Sequence, residues 1–139
     1  MIQNYAENAR LFWEVGFNQR NLDAITHLFA PNYVNHAALA GTPPGPEGQK
    51  QLMKRLWSAF PDASFEIEHI ALDGDTVICI GTMRGTHEGE LWGISGTGKS
   101  IRWRQCHLLK VNEEGQILEH DAVRDDQGLL RQMGVVPGS

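Results

Sequence analysis

His107 and Asp121 are the two residues whose types and spacing point most directly to chemistry. Glu113-Glu114-Gly115 lies between two segments of alternating hydrophobicity and reads as a three-residue hairpin loop, with Gly in the left-handed last position. Such a loop pairs Asn112 with Gln116. Val111 then faces Ile117, Leu109 faces Glu119, and His107 faces Asp121. Directly opposed residues have Cβ atoms roughly 4.5–5.5 Å apart, close enough for a side-chain hydrogen bond. Gln105 is the next residue along that face, opposite Val123. An aspartate there has its pKa raised by desolvation and lowered by a charged histidine, and such a pair suits general acid–base catalysis. The bland alternative is a solvated cross-strand pair contributing roughly a few tenths of a kcal/mol. A slip of one residue in register also separates the two.

The odd-numbered face of this hairpin carries Ile101, Trp103, Leu109, Val111, Ile117 and Val123, whereas the even-numbered face carries Arg102, Arg104, Lys110 and Arg124. The odd face is therefore expected to line a concavity, with Gln105, His107 and Asp121 as polar islands in it. Asn35 and His36, just before the loop at Gly41, are candidate pocket residues, and Trp57 and Trp103 are candidate aromatic walls. Trp13, Trp57 and Phe60 also read as ordinary core residues. His87 reads as a residue at a strand end near a pocket mouth, and His27, His69 and His120 as surface or satisfied structural histidines. No HxxxH or HxH spacing occurs, so no metal site is expected.

Gly93 to Ser100 matches the phosphate-loop pattern GxxxxGK[ST] at every defined position. That chemistry needs a helix N-terminus directly after the loop, whose amides hold the phosphates. Here Ile101, Trp103, Gln105, His107, Leu109 and Val111 alternate as a strand. The segment reads as an inter-strand loop and not as a nucleotide site.

The first sixty residues that must position these groups read as helical. Ile2, Tyr5, Ala9, Phe12, Trp13, Gly16 and Phe17 recur at helical steps. Asn21 reads as the N-cap of a short helix from Leu22 to Phe29 that ends before Pro31. Tyr33 to His36 is β-like. Pro46 opens a third helix striped by Leu52, Met53, Leu56, Trp57 and Phe60, which Pro61 stops. From Ala63 the period changes to two, with a turn at Asp73-Gly74-Asp75 and strands over Thr76 to Thr86, Ser100 to Asn112 and Gln116 to Asp125. A short helix lies around Leu129 to Met133. Helices followed by an antiparallel meander define an α+β domain with helices packed on one face of a curved sheet.

With 139 residues the chain has the length of a single domain over 1–139, with an ordinary 41% apolar and 21% charged composition. The net charge of −5 argues against nucleic acid or an anionic membrane as partner. No run approaches a membrane span of about 18 residues and no signal pattern opens the chain. Cys79 and Cys106 stand far apart, outside any CxxC. A cytoplasmic location is expected.

Several segments together resemble the SnoaL-like polyketide cyclase family: Tyr33-Val34-Asn35-His36, Ala59-Phe60-Pro61-Asp62, Gly85 to Gly89, Gly96 to Lys99, and Gly115 through His120 and Asp125 to Gly134. The resemblance covers roughly Leu11 to Gly134. It implies a cone-shaped, nuclear-transport-factor-like α+β fold around an apolar pocket. It also implies cofactor-free, intramolecular aldol-type cyclisation of a small apolar carbonyl compound, and a homo-oligomer (dimer or tetramer). By strand position the family's acid/base aspartate and its helping histidine fall on Asp121 and His107. Asp125 matches a more general family aspartate with a structural role. The catalytic expectation is therefore Asp121 and His107, and the substrate-binding expectation is Gln105, Asn35, His36, Trp57 and Trp103, with no cofactor and no metal. A ketosteroid-isomerase-like isomerase or hydrolase, and a non-catalytic small-molecule-binding module, are the alternative readings.

Overall fold

The computed structural model describes residues 5–38 and 41–135; Ile2 of the expected N-terminal stripe lies outside them. Helix α1 (Tyr5–Leu11) runs into a π-helical turn (Phe12–Phe17). The wider turn is closed by Asn18 N–H donating to Trp13 O at 2.8 Å, and it buries Phe12, Trp13, Gly16 and Phe17 together. Such π segments recur at functional sites. Asn21 caps α2 (Leu22–Leu28), its side chain accepting from Ala24 N–H at 3.3 Å. The chain then enters β1 (Phe29–Asn35). Helix α3 (Gly45–Ala59) carries Pro46 in its first turn, where the missing N–H costs nothing.

The remaining strands are β2 (Ser64–Asp73), β3 (Thr76–Thr86), β4 (Ser100–Val111) and β5 (Ile117–Arg124), and α4 (Asp126–Gln132) closes the described chain. The sheet order is β1-β5-β4-β3-β2. The meander from β2 to β5 is antiparallel, and β1 adds a parallel edge against β5. The helices cover one face of this open, curved sheet, and the core between them holds Phe12, Trp13, Ile25, Phe29, Met53, Phe60, Phe65, Trp103 and Leu109. The α+β expectation holds. The phosphate-loop look-alike is indeed an inter-strand loop, because Ser100 begins β4 rather than a helix.

The hairpin between β4 and β5 follows the expected register only at its tip. Asn112 N–H donates to Gln116 O at 2.9 Å, Gly115 takes φ +84°, and Val111 pairs with Ile117. One extra residue then enters β5, so Lys110 faces Glu119, Leu109 faces His120, Leu108 faces Asp121 and His107 faces Ala122. The expected opposition of His107 to Asp121 is therefore corrected by one residue. The physical reason lies in which side chains turn inward. An unbulged β5 would point Glu119 and Asp121 into the core, where an unpaired carboxylate is very costly. The bulge sends both outward and turns His120, Ala122 and Arg124 inward. Glu119 then meets His36 Nε2 at 2.9 Å and Lys110 Nζ at 3.8 Å on the outer side.

Candidate active site

The inner faces of β4 and β5 form a small grid of polar groups beneath the helices. On β4 stand Gln105 and His107, and on β5 His120 and Arg124, with Gln105 directly opposed to Arg124. His107 Nδ1 lies 2.7 Å from His120 Nε2, and His107 Nε2 lies 2.7 Å from Gln105 Oε1. His107 and His120 are diagonal neighbours across the two strands, a spacing rings can bridge. The edge strand β1 supplies Tyr33, whose hydroxyl lies 3.0 Å from His120 Nδ1 and donates to Gln49 Oε1 at 2.7 Å. Asn35 Nδ2 donates to the same Gln49 oxygen at 3.3 Å. A continuous buried chain thus runs Gln105–His107–His120–Tyr33–Gln49.

The far end of the chain fixes its direction. Gln49 Oε1 can only accept, so Tyr33 donates to it and its oxygen accepts from His120 Nδ1–H. His120 Nε2 then accepts from His107 Nδ1. In the neutral network His107 Nε2 carries the lone pair at the end of the chain, and the Gln105 amide turns its NH2 group toward it. When a proton is added there, the new N–H donates to Gln105 Oε1.

Burial governs the charges. His107 and His120 are each 2% exposed. Burial pushes the His107 pKa well below the usual imidazole value, and the nearby His120 and Arg124 push it further. Burial, with Arg124 second, takes His120 down to about 3. The Tyr33 phenol is held protonated by its burial. Arg124, half-buried, is pulled below its ordinary value by desolvation, against which Asp126, Tyr33 and Asp121 act. At neutral pH the site therefore holds two neutral imidazoles beside one guanidinium.

Gln49, Gln105, His107, His120 and Arg124 floor a cleft of about 860 Å³, including its open part, with Tyr33 behind them. Its apolar walls include Phe12, Trp13, Phe17, Met53, Leu56, Phe65 and Met83. The exposed lining residues, Arg55 on α3 and Trp92 on the loop before β4, mark its open side. Trp92 meets Trp103 edge to face at 5.6 Å, and the Arg124 guanidinium lies 5.9 Å from the Trp103 ring. Trp13 leans on His107 at 4.5 Å and stacks on Phe65 at 4.2 Å.

Of the residues expected from sequence, His107, Gln105, Asn35 and Trp103 line this cleft. Three do not. Asp121 is exposed on the outer sheet face, where its Oδ1 accepts from Ala122 N–H at 2.8 Å. His36 is turned to the outer side by its contact with Glu119. Trp57 packs on Phe17 at 5.9 Å beneath the Arg20 guanidinium at 5.3 Å, outside the cleft lining. His87 is fully buried away from the cleft, its Nδ1 accepting from Thr97 N–H at 3.2 Å, so it anchors the base of the loop that carries Trp92. His120, Tyr33, Gln49 and Arg124 are the site residues that sequence reasoning missed. The signal for His120 was Glu119 falling at a core position in the simple register.

A profile of the SnoaL-like polyketide cyclase family matches residues 7–133. The chain belongs to that family. It is 32% identical over 120 residues to nogalonic acid methyl ester cyclase of Streptomyces nogalater, covering 85% of this chain and 89% of that one. It is 30% identical to the aklanonic acid methyl ester cyclase DnrD of Streptomyces peucetius, covering 85% and 83%. Among solved structures, IdmH of Streptomyces antibioticus superposes with a TM-score of 0.80 at 29% identity, covering 94% of this chain and 99% of that one. AclR of Streptomyces galilaeus gives 0.84 at 24% identity, covering 100% and 86%, and supports the fold.

Proposed function

We propose that this protein closes a ring in a polyketide-type carbonyl compound by an intramolecular aldol reaction, with His107 as the acid/base. The observation that carries the reading is the lone pair the chain leaves on His107 Nε2, beside Gln105 in the cleft lining, with the ring held in place by His120 at 2.7 Å on its other nitrogen. His107 Nε2 takes the proton from a carbon flanked by two carbonyls, and the C–H electrons pass into the enolate. The enolate carbon forms the new C–C bond to a second carbonyl of the same molecule. The alkoxide so made takes the proton back from His107, and the protein ends unchanged. Gln105 Oε1 receives the N–H of the transient imidazolium. His120, Tyr33 and Gln49 act as positioning residues that keep the His107 proton on Nδ1. Asn35 and Trp103 stand as substrate-binding residues, and the aromatic wall holds the substrate folded, which supplies much of the rate in a unimolecular closure.

Two relatives act on methyl esters of nogalonic and aklanonic acid, so such esters are the first substrates to assay. Incubation of the purified protein with each ester should give a ring-closed isomer of unchanged mass, seen by chromatography with mass detection. A double-bond isomer without ring closure would support the isomerase reading. Tight binding without conversion of any ester or ketone would support a binding module. The same proposal places the protein in the cytoplasm as a homo-oligomer; its unpaired Cys79 and Cys106 are compatible with a reducing compartment.

A further inference from the structure

The chain carries a net charge of −5, yet the cleft is lined by two guanidiniums, Arg55 and Arg124, and by no carboxylate among the described residues. Arg124 is the inner one. It projects from the inward face of β5, opposite Gln105, and it makes no hydrogen bond or ion pair among the described residues beyond its stacking on Trp103. Asp126 is near but spends an oxygen on Trp103 Nε1 at 3.1 Å, and Asp121 lies on the outer face. A half-buried cation in a cleft that no carboxylate bonds directly among the described residues is a place for an anion.

The position is more informative than the charge alone. Proton transfer from carbon to His107 creates a positive imidazolium and a negative enolate at once. Arg124 opposes the first and favours the second, so its presence helps only if the anionic oxygen sits closer to the guanidinium than the imidazolium does. Gln105 lies between the two, opposed to Arg124 and bonded to His107 Nε2. A substrate oxygen lying over Gln105 satisfies that condition.

We propose that Arg124 is the electrostatic partner of the enolate oxygen, and that the cleft therefore selects carbonyl compounds that ionise to planar oxyanions. The inference rests on the acid–base reading above. The step balances: the C–H proton moves to His107, its electron pair becomes the enolate charge, and Arg124 binds that charge without exchanging a proton.

The test uses a hydroxynaphthoquinone, a planar enol whose ionisation is visible as a colour change. Bound to the wild-type protein, it should ionise at least one pH unit below its free value. Arg124→Gln should abolish that shift, and Arg124→Lys should retain part of it and guard against a misfolded Gln variant. In turnover, Arg124→Gln should lower kcat by about 10²-fold or more, as loss of an oxyanion partner does elsewhere, with a smaller change in KM. Binding without an ionisation shift in the wild type, or a shift that survives Arg124→Gln, overturns the role of Arg124 and leaves His107 as base intact. Failure of the wild type both to bind the quinone and to cyclise any ester overturns the acid–base reading, and this inference with it.

Discussion

His107 Nδ1 and His120 Nε2 share a single proton across 2.7 Å, in a setting where each ring is 2% exposed. Two imidazoles in that contact cannot both be protonated without placing two N–H groups head to head. Burial holds the pair neutral, and its direction is set by Tyr33 and Gln49 behind it.

Neutral burial makes stability depend on pH. Both folded pKa values lie below the unfolded value of about 6.5. The unfolded chain then binds more protons than the folded one, so the contribution is complete above pH 6.5 and is lost as pH falls towards 3. The loss is about 1.4 kcal/mol per pH unit for each histidine in the steep part of that window. Denaturant unfolding of the wild type between pH 7.5 and 5 should show this loss. A His107→Gln/His120→Gln double variant should lose markedly less over the same range. Equal slopes would mean that the imidazoles are not held neutral.

Tyr33 is the link that orients the pair. Among the described residues, Tyr33→Phe leaves Asn35 as the donor to Gln49 Oε1, and it removes the acceptor of His120 Nδ1–H. Leaving buried polar groups unpaired costs about 1–3 kcal/mol, which urea titration should register. Catalysis should also fall, because His107 loses its preference for the Nδ1–H tautomer.

Gln105 offers a way to move the base. Gln105→Glu would place a carboxylate where Oε1 now lies 2.7 Å from His107 Nε2. An opposite charge at that distance raises an imidazole pKa by about 1–3 units. Histidine ring signals followed by NMR should show His107 titrating at higher pH. The acidic limb of kcat should move the same way. An unmoved limb would mean that His107 is not the titrating group.

The sequence was legible where local rules act alone. Asn21 as a cap, Pro46 in the first turn of α3, Gly115 in the hairpin and the strand starting at Ser100 are each dictated by one residue's backbone chemistry, and each lies where expected. The inward face of β4 followed from alternation. The site's partner strand did not, because the bulge after Ile117 is a tertiary choice that exchanges Asp121 for His120 on the inner face. The same slip turned Arg124 inward. Tyr33 and Gln49 lie far from His120 in the chain: the parallel pairing of β1 with β5 brings Tyr33 to His120, and the packing of α3 on β1 brings Gln49 to Tyr33.

In the proposed reaction the buried imidazole of His107, and not Asp121, moves the proton. The most direct measurement is kcat for ring closure of an aromatic polyketide methyl ester by the wild type, His107→Asn and Asp121→Asn. Asp121→Asn should stay within about twofold, as a surface change does. His107→Asn should fall by roughly 10²–10⁴, the contribution of a positioned acid/base. An Asp121→Asn enzyme that folds, binds the ester and has lost turnover, beside an active His107→Asn, would contradict it.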